Sequence, residues 1–205
     1  MLSIKLRMVY PPVLAPVNTV MYGHLVMTDQ LSVQDWLNQG LKTLAASGFT
    51  ALKAEPLAKA MGVSRGSFYW HFADIGAFHA AILNYWRQVA AEEIIADVEA
   101  IAGDESPLPV LLRQAFSGKL ALERAIRSWA TVDSTARNAV QAIDRRRLDY
   151  VESLLRDAGF SRETAQARAR ILYWTFIGFA LSDKPLAKPQ QEALLNELTR
   201  ITSPS

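Results

Sequence analysis

Twelve residues from Met61 to Phe72, MGVSRGSFYWHF, place four aromatic side chains, an arginine and a histidine directly after a glycine turn. An arginine such as Arg65 can donate two hydrogen bonds to the two acceptors of guanine, and the hydroxyl of a serine such as Ser67 can form hydrogen bonds with several bases. The ring ends of Tyr69 and His71 carry donors that could reach phosphate oxygens, which fix register rather than sequence. Side chains of these types in this order are typical of a surface that meets duplex DNA.

The elements around this stretch explain how those side chains would be presented. A short helix is predicted from about Lys53 to Met61, then a tight turn at Gly62-Val63, then a helix from Arg65 to about His71. Such a pair is a helix-turn-helix, whose second helix lies in the major groove with its N-terminal residues facing base edges. Ser64 is placed to cap that helix, and Gly66 lets the backbone approach closely. The predicted DNA-binding residues are Lys53, Ser64, Arg65, Gly66, Ser67, Tyr69, Trp70 and His71.

The aromatic residues of this helix divide into two groups. Phe68 and Phe72 are four residues apart, which places them on one face as core anchors for the recognition helix. Trp70 is off that face, so it meets either DNA or the neighbouring helix.

The rest of the chain follows a helical period and carries no convincing strand signal. The first helix begins at Ser32 and ends at Ser47-Gly48, and Asp74 is predicted to cap a fourth helix that runs to about Ala100. Further helical patterns cover 108–117, 119–130, 134–158, 162–182 and 189–201. The predicted fold class is all-α.

Composition narrows the function classes. The 205 residues include no cysteine, which excludes disulfides and cysteine-ligated zinc and fits a reducing cytoplasm. The net charge of +2 does not by itself indicate a nucleic-acid binder. The longest apolar run, Ile171–Leu181, is too short for the ~20 residues that span a bilayer.

Residues 1–27 are predicted to form a flexible N-terminal arm with three prolines. These prolines interrupt the apolar stretch that a secretory signal needs, so we expect a cytoplasmic protein. Lys5 and Arg7 on the arm could reach DNA, although a disordered leader is the favoured interpretation.

Residues 31–83 resemble the DNA-binding domain of TetR-family transcriptional repressors. The matching residues include Gly48-Phe49, Leu57-Ala58, Gly62-Val63-Ser64, Gly66-Ser67 and Tyr69-Trp70-His71-Phe72. The resemblance implies an N-terminal three-helix DNA-binding domain over 28–76, and a C-terminal helical ligand-binding and dimerisation domain over 77–205. It also implies that Arg65, Ser67, Tyr69 and His71 contact operator DNA, and that a small molecule releases a repressor from a palindromic operator.

Two positions depart from the family pattern. Lys53 stands where the family usually has serine or threonine, and Ile75 stands where it usually has a lysine that grips phosphate. One lost phosphate contact weakens binding to all sequences and lowers the salt dependence by roughly one unit. Lys53 could restore that contact from the other helix.

The C-terminal part is expected to form a homodimer through its last two helices. Gly178 and Ala180 would let helices approach closely, and the last helix contributes Leu194, Leu195, Leu198 and Ile201 to a four-helix bundle. The alternative is a buried core helix within one subunit. Candidate pocket residues for a small apolar or aromatic ligand are Trp86, Trp129, Tyr150, Tyr173, Trp174 and Phe176, each of which could equally be plain core.

The arginine run Arg145-Arg146-Arg147 covers three directions of a helix. It is interpreted as a solvated face, with Asp144 and Asp149 as partners, rather than as a site for an anionic ligand.

No residue pattern supports catalysis. The three histidines have no metal-site spacing with acidic residues, and neither a phosphate-binding glycine loop nor a Gly-x-Ser-x-Gly turn is present. We therefore expect neither an enzyme, a metal nor a cofactor. Two rivals to a ligand-responsive repressor stay open: a regulator of the same fold without a ligand, and a helical interaction protein that no longer binds DNA.

Overall fold

The computed structural model describes residues 31–103, 106–117, 120–184 and 186–203. Every regular element in these ranges is helical, which confirms the predicted all-α class. The predicted arm over 1–27 lies outside the described residues. The helices are α1 (Val33–Ser47), α2 (Ala54–Ala60), α3 (Arg65–His71), α4 (Ile75–Arg87), α5 (Glu93–Ala102), α6 (Pro107–Ser117), α7 (Ala121–Ala130), α8 (Ser134–Asp157), α9 (Arg162–Leu181) and α10 (Lys188–Arg200).

Short polar residues begin several of these helices. Ser32 starts α1 with a full capping box, in which its hydroxyl accepts from the amide of Asp35 and the Asp35 carboxylate accepts from the amide of Ser32. Asp74 caps α4 as predicted, since its carboxylate accepts from the amide of Ala77 at 2.7 Å. These bonds satisfy amides that have no partner within the helix.

The predicted fourth helix ends at Ala102, close to its expected end at about Ala100, but it is less regular than its sequence pattern suggests. Helices α4 and α5 form one continuous rod, joined by a π turn at Gln88–Glu92, and Gly103 ends it with a positive φ of 54°. A π turn carries an extra residue and leaves backbone groups outside the usual helical pairing. The rod leads from the helix-turn-helix to the helices of the C-terminal half of the chain.

Two large clusters of buried side chains hold the described residues together. The first joins α1 to α4 with α7 and the first half of α8, and it includes Trp36, Phe78, Trp86 and Trp129. The second joins α6, the second half of α8, α9 and α10. Because α7 and α8 pack against α1 and α4, the recognition helix is braced by the C-terminal part of the chain.

The last helix contributes to the second cluster of its own chain. Leu198 is buried and Leu194, Leu195 and Ile201 pack beside it. In the described part of the chain, no helix is both long enough and apolar enough to cross a membrane.

Candidate nucleic-acid interface

The helix-turn-helix forms where the sequence predicts it. Helix α2 ends at Ala60, and the chain turns at Gly62, whose φ of 70° is a conformation that glycine adopts without strain. The turn closes with a hydrogen bond from the amide of Val63 to the carbonyl of Ala58 at 3.0 Å. Pro56 lies in the first turn of α2, where a missing amide costs no helical bond.

Aromatic packing fixes the inner face of α3. Phe68 is fully buried, with its ring centroid 5.4 Å from that of Trp36 and 5.3 Å from that of Phe78. Phe72 is also buried and lies 4.9 Å from Phe78. Edge-to-face contacts at these distances are favourable beyond the area they bury. The prediction that Phe68 and Phe72 anchor the helix is confirmed.

The opposite face of α3 points to solvent. Arg65 and Gly66 are exposed, while Ser67 and His71 are half-buried, and the His71 ring lies near Trp36. Trp70 is 88% exposed and Tyr69 is 44% exposed. Of the two positions predicted for Trp70, the one against a neighbouring helix is therefore wrong. An indole open to water on a recognition helix is available for DNA.

Ser64 occupies the N-cap position of α3, but its hydroxyl makes no capping hydrogen bond. The amide of Ser67 instead donates to the backbone carbonyl of Ser64 at 3.0 Å. The expectation that the Ser64 side chain caps the helix is therefore wrong.

Arg65 is held along the helix by Tyr69. Its Nη2 donates to the Tyr69 hydroxyl at 3.0 Å, and its guanidinium carbon lies 5.4 Å from the centre of that ring. The hydrogen bond to Tyr69 raises the pKa of Arg65 further above its ordinary value. The pair keeps the guanidinium beside α3 while its remaining donors stay free to face a ligand.

The two residues that differ from the family pattern lie at the starts of helices. Lys53 is exposed at the N-cap of α2. Ile75 is the first residue of α4, half-buried against the first core cluster. The isoleucine side chain adds packing in this position and, unlike a lysine, offers phosphate no side-chain donor.

The six aromatic pocket candidates lie in different surroundings. Trp86 and Trp129 belong to the first core cluster and Tyr150 to the second, while Trp174 is 66% exposed. Only Tyr173 and Phe176 share a ring contact, at 6.1 Å between centroids. A cavity of about 220 Å³ lies between the π turn and α8, and its lining includes none of the six.

The sequence did not reveal a buried network of charged groups between α7, α8 and α9. The Glu123 carboxylate, which is 6% exposed, accepts hydrogen bonds from Arg127 at 2.8 Å and from Arg147 at 3.1 Å. Arg127 also pairs with Asp144 at 2.6 Å, and the Tyr173 hydroxyl donates to Asp144 at 2.6 Å. Burial is the main reason that the pKa of Tyr173 lies above its ordinary value.

The interpretation of the arginine run as one solvated face is wrong. Arg145 is exposed, Arg146 pairs with Glu92 at 3.0 Å, and Arg147 points inward to Glu123. Asp144 pairs with Arg127 rather than with the run. Burial alone would lower the pKa of Arg147, but Glu123 and Tyr173 raise it, so the buried guanidinium stays charged.

Comparison with known proteins agrees with this geometry. Residues 37–82 match the family model described as "Bacterial regulatory proteins, tetR family". No curated protein sequence matches the chain. Solved structures share the fold over most of their length. The multidrug binding protein EbrR, complexed with imidazole, is 21% identical with a TM-score of 0.57, over 84% of this chain and 95% of that one.

Two further solved structures resemble this chain at a similar level of sequence identity. The transcriptional regulator SCO7518 from Streptomyces coelicolor A3(2) is 20% identical with a TM-score of 0.58, over 82% of this chain and 96% of that one. A protein from Rhodococcus sp. described as a TetR-family transcriptional regulator is 17% identical with a TM-score of 0.62, over 83% and 98%. Residues 37–82, which include the helix-turn-helix, therefore match the tetR family model, and the described part of the chain shares the fold of these solved proteins.

Proposed function

We propose that the chain acts in the cytoplasm as a homodimeric repressor of a palindromic operator. The observation that carries this proposal is the outward face of α3, where donors of several kinds and an exposed indole surround a glycine. The residues proposed to contact DNA are Lys53, Ser64, Arg65, Gly66, Ser67, Tyr69, Trp70 and His71. Two such helices in a dimer would enter successive major grooves about 34–36 Å apart.

An apolar stripe on α9 supports the dimer. Ile171, Trp174 and Leu181 are exposed, and with Gly178 between them they follow one face at three- and four-residue spacing. Exposed apolar side chains that adjoin one another mark interaction surfaces. The stripe offers a large aromatic anchor beside a glycine that leaves room for it, which suits a self-complementary contact. Because α10 packs its leucines within its own subunit, α9 would supply most of the apolar contact.

We further propose that a small ligand releases the repressor from its operator. EbrR, which has the same fold, is a multidrug binding protein, and the six candidate aromatic residues lie on α4, α7, α8 and α9. A ligand that entered between these helices would move α4, and ligand and operator would then disfavour each other reciprocally. A regulator without a ligand is the second candidate, and it is favoured by the burial of Trp86 and Trp129 in the first core cluster.

Binding experiments separate these alternatives. The protein would first select duplexes from a random library, which should yield a palindrome. Replacing Tyr69 and His71 together with alanine should reduce affinity for that duplex at least a hundredfold, while the dimer and the thermal unfolding temperature stay nearly unchanged. Because His71 is half-buried, the unfolding measurement is needed to show that the fold survives.

Arg113 on α6 is also exposed, so Arg113→Ala provides a matched control for Arg65→Ala on α3. Arg113→Ala should leave operator affinity unchanged, whereas Arg65→Ala should weaken it. Undiminished binding by the Tyr69/His71 double variant would refute the assignment of α3. Absence of salt-dependent binding to any duplex would favour an interaction protein that no longer binds DNA.

A thermal-shift screen of apolar and aromatic metabolites tests the ligand. A compound present at a hundred times its Kd stabilises the protein by ~2.7 kcal/mol. A hit that also lowers operator affinity supports a ligand-released repressor. A screen without such a hit supports control by concentration or by a protein partner.

A further inference from the structure

The rod formed by α4 and α5 is interrupted at one place, and that place is held by a buried arginine. Within the π turn, the carbonyl of Ala90 accepts two hydrogen bonds from Arg147, one from Nε at 3.2 Å and one from Nη2 at 3.0 Å. A π turn leaves carbonyls less well paired than an α-helix does, and a buried carbonyl needs a partner. The Arg147 guanidinium supplies that partner from α8.

The position of Arg147 is itself fixed by its remaining contacts. Its Nη1 and Nη2 donate to the Glu123 carboxylate at 3.1 Å each, and its guanidinium carbon lies 5.5 Å from the centre of the Phe176 ring. Glu123 is in turn held by Arg127, which pairs with Asp144. Two arginines and two carboxylates thus form a neutral set around the buried Glu123, and removing Arg147 alone would leave that carboxylate with one cationic partner fewer.

We infer that Arg147 is a positioning residue that holds the π turn between α4 and α5 and thereby sets where the recognition helix stands. The part of this inference that concerns DNA depends on the proposed function. If the π turn relaxed to a regular α-helix, the residues before it would rotate by about 100° and shift by about 1.5 Å along the axis. Phe78 and Ile82 on α4 are fully buried in the first core cluster, so they cannot rotate freely. Such a relaxation would therefore displace α4 together with α3.

The neighbouring residue Arg146 provides a control on the same turn. It makes two hydrogen bonds of 3.0 Å to the carboxylate of Glu92, but this ion pair is exposed and involves no backbone group. Exposed pairs contribute ~0.2–1 kcal/mol or nothing measurable. Replacing Arg146 should therefore leave the π turn in place.

The test removes the contacts that Arg147 makes with Ala90 and Glu123, which we call the Arg147 clamp, without leaving a buried charge unpaired. In the double variant Glu123→Gln/Arg147→Met, methionine keeps the length of the side chain, and glutamine can still accept from Arg127. Amide exchange of the peptide over 84–96 should become at least tenfold faster, with exchange in α8 and α9 unchanged. Arg146→Gln should exchange like the parent protein. Arg147→Lys keeps a charge for Glu123 but cannot serve both partners, so it should also accelerate exchange.

A distance measurement adds a readout that a merely stabilising role would not change. The chain has no cysteine, so Ala60→Cys at the exposed end of α2 accepts a single spin label per subunit. In the dimer, the distance distribution between the two labels should broaden in Glu123→Gln/Arg147→Met and keep its width in Arg146→Gln.

Unchanged exchange over 84–96 in a folded double variant would overturn the inference, as would accelerated exchange spread evenly over all helices. If the double variant did not fold, Arg147→Lys would decide by the same measure. Because exchange requires neither DNA nor a dimer, its result is independent of the proposed function. Failure of the wild type to bind any duplex would refute that function and leave the clamp untouched.

Discussion

Two tryptophans are exposed to solvent, and replacing each with serine should distinguish the surface for dimerisation from the surface for DNA binding. Of the five tryptophans, Trp36, Trp86 and Trp129 are at most 2% exposed, whereas Trp70 and Trp174 are 88% and 66% exposed. Trp70 lies on α3 and Trp174 on the apolar stripe of α9. We expect Trp174→Ser to dissociate the dimer and Trp70→Ser to weaken DNA binding alone.

The size of the Trp174 effect follows from its exposed area. A tryptophan offers up to ~250 Å², so 66% exposure leaves roughly 165 Å² to be covered by a partner. At ~25 cal/mol per Å² this area corresponds to about 4 kcal/mol as an upper value. Buried tryptophans in interfaces cost ~2 kcal/mol or more when truncated. Because a twofold interface loses two copies, even the lower figure raises the dimer Kd by on the order of 10³.

Sedimentation over a range of concentrations measures this directly, with operator binding by anisotropy beside it. Trp174→Ser should be monomeric at concentrations where the parent is dimeric, and its operator affinity should fall because only one half-site is then filled. Trp70→Ser should sediment as the parent does, with an operator Kd at least tenfold higher, or ~1.4 kcal/mol. A dimer of unchanged Kd in Trp174→Ser would refute the role given to the α9 stripe. Loss of the dimer in Trp70→Ser would refute the separation of the two surfaces.

Three further outcomes are expected. A Cβ at Gly40 would lie 2.3 Å from Cδ1 of Ile82, so Gly40→Ala should cost ~1–3 kcal/mol of unfolding free energy in denaturant titrations, and no loss would contradict the close contact of α1 and α4. Asp74→Ala removes the N-cap bond to Ala77 and should cost ~1 kcal/mol, which Asp74→Asn should largely restore. Because the pKa of Tyr173 is raised in the folded state, its contribution to stability is complete below pH ~10 and is lost as the pH rises through the folded value. Tyr173→Phe should weaken that alkaline loss, and an identical pH profile would count against it.

Much of the helix-turn-helix was predictable because its signals are local. The capping role of Asp74 follows from a contact three residues away, and the anchoring role of Phe68 and Phe72 follows from their spacing. The turn at Gly62 requires a positive φ, and a glycine at this position indicates such a turn because glycine adopts positive φ without strain. Local rules of this kind act on a few neighbouring residues and leave a readable pattern.

The charged network was not predictable because its partners are distant in the chain. Arg147 is 24 residues from Glu123 and 57 from Ala90, and nothing in the run of three arginines marks which one turns inward. The π turn was also not predictable, because its residues continue an ordinary helical period. The residue type and position of Ser64 allow a cap, but its hydroxyl does not make the bond. The proposed DNA contacts and pocket residues stay predictions.

Methylation interference would show whether α3 faces the bases of the major groove. Guanine N7 is exposed in that groove and is one of the two acceptors that arginine binds. Operator duplexes methylated at N7 should be excluded from the complex at guanines related by the twofold axis, and Arg65→Ala should bind methylated and unmethylated duplexes alike at those positions. Undisturbed binding to N7-methylated duplexes, or interference that Arg65→Ala leaves unaltered, would show that Arg65 on α3 does not bind guanine in the major groove.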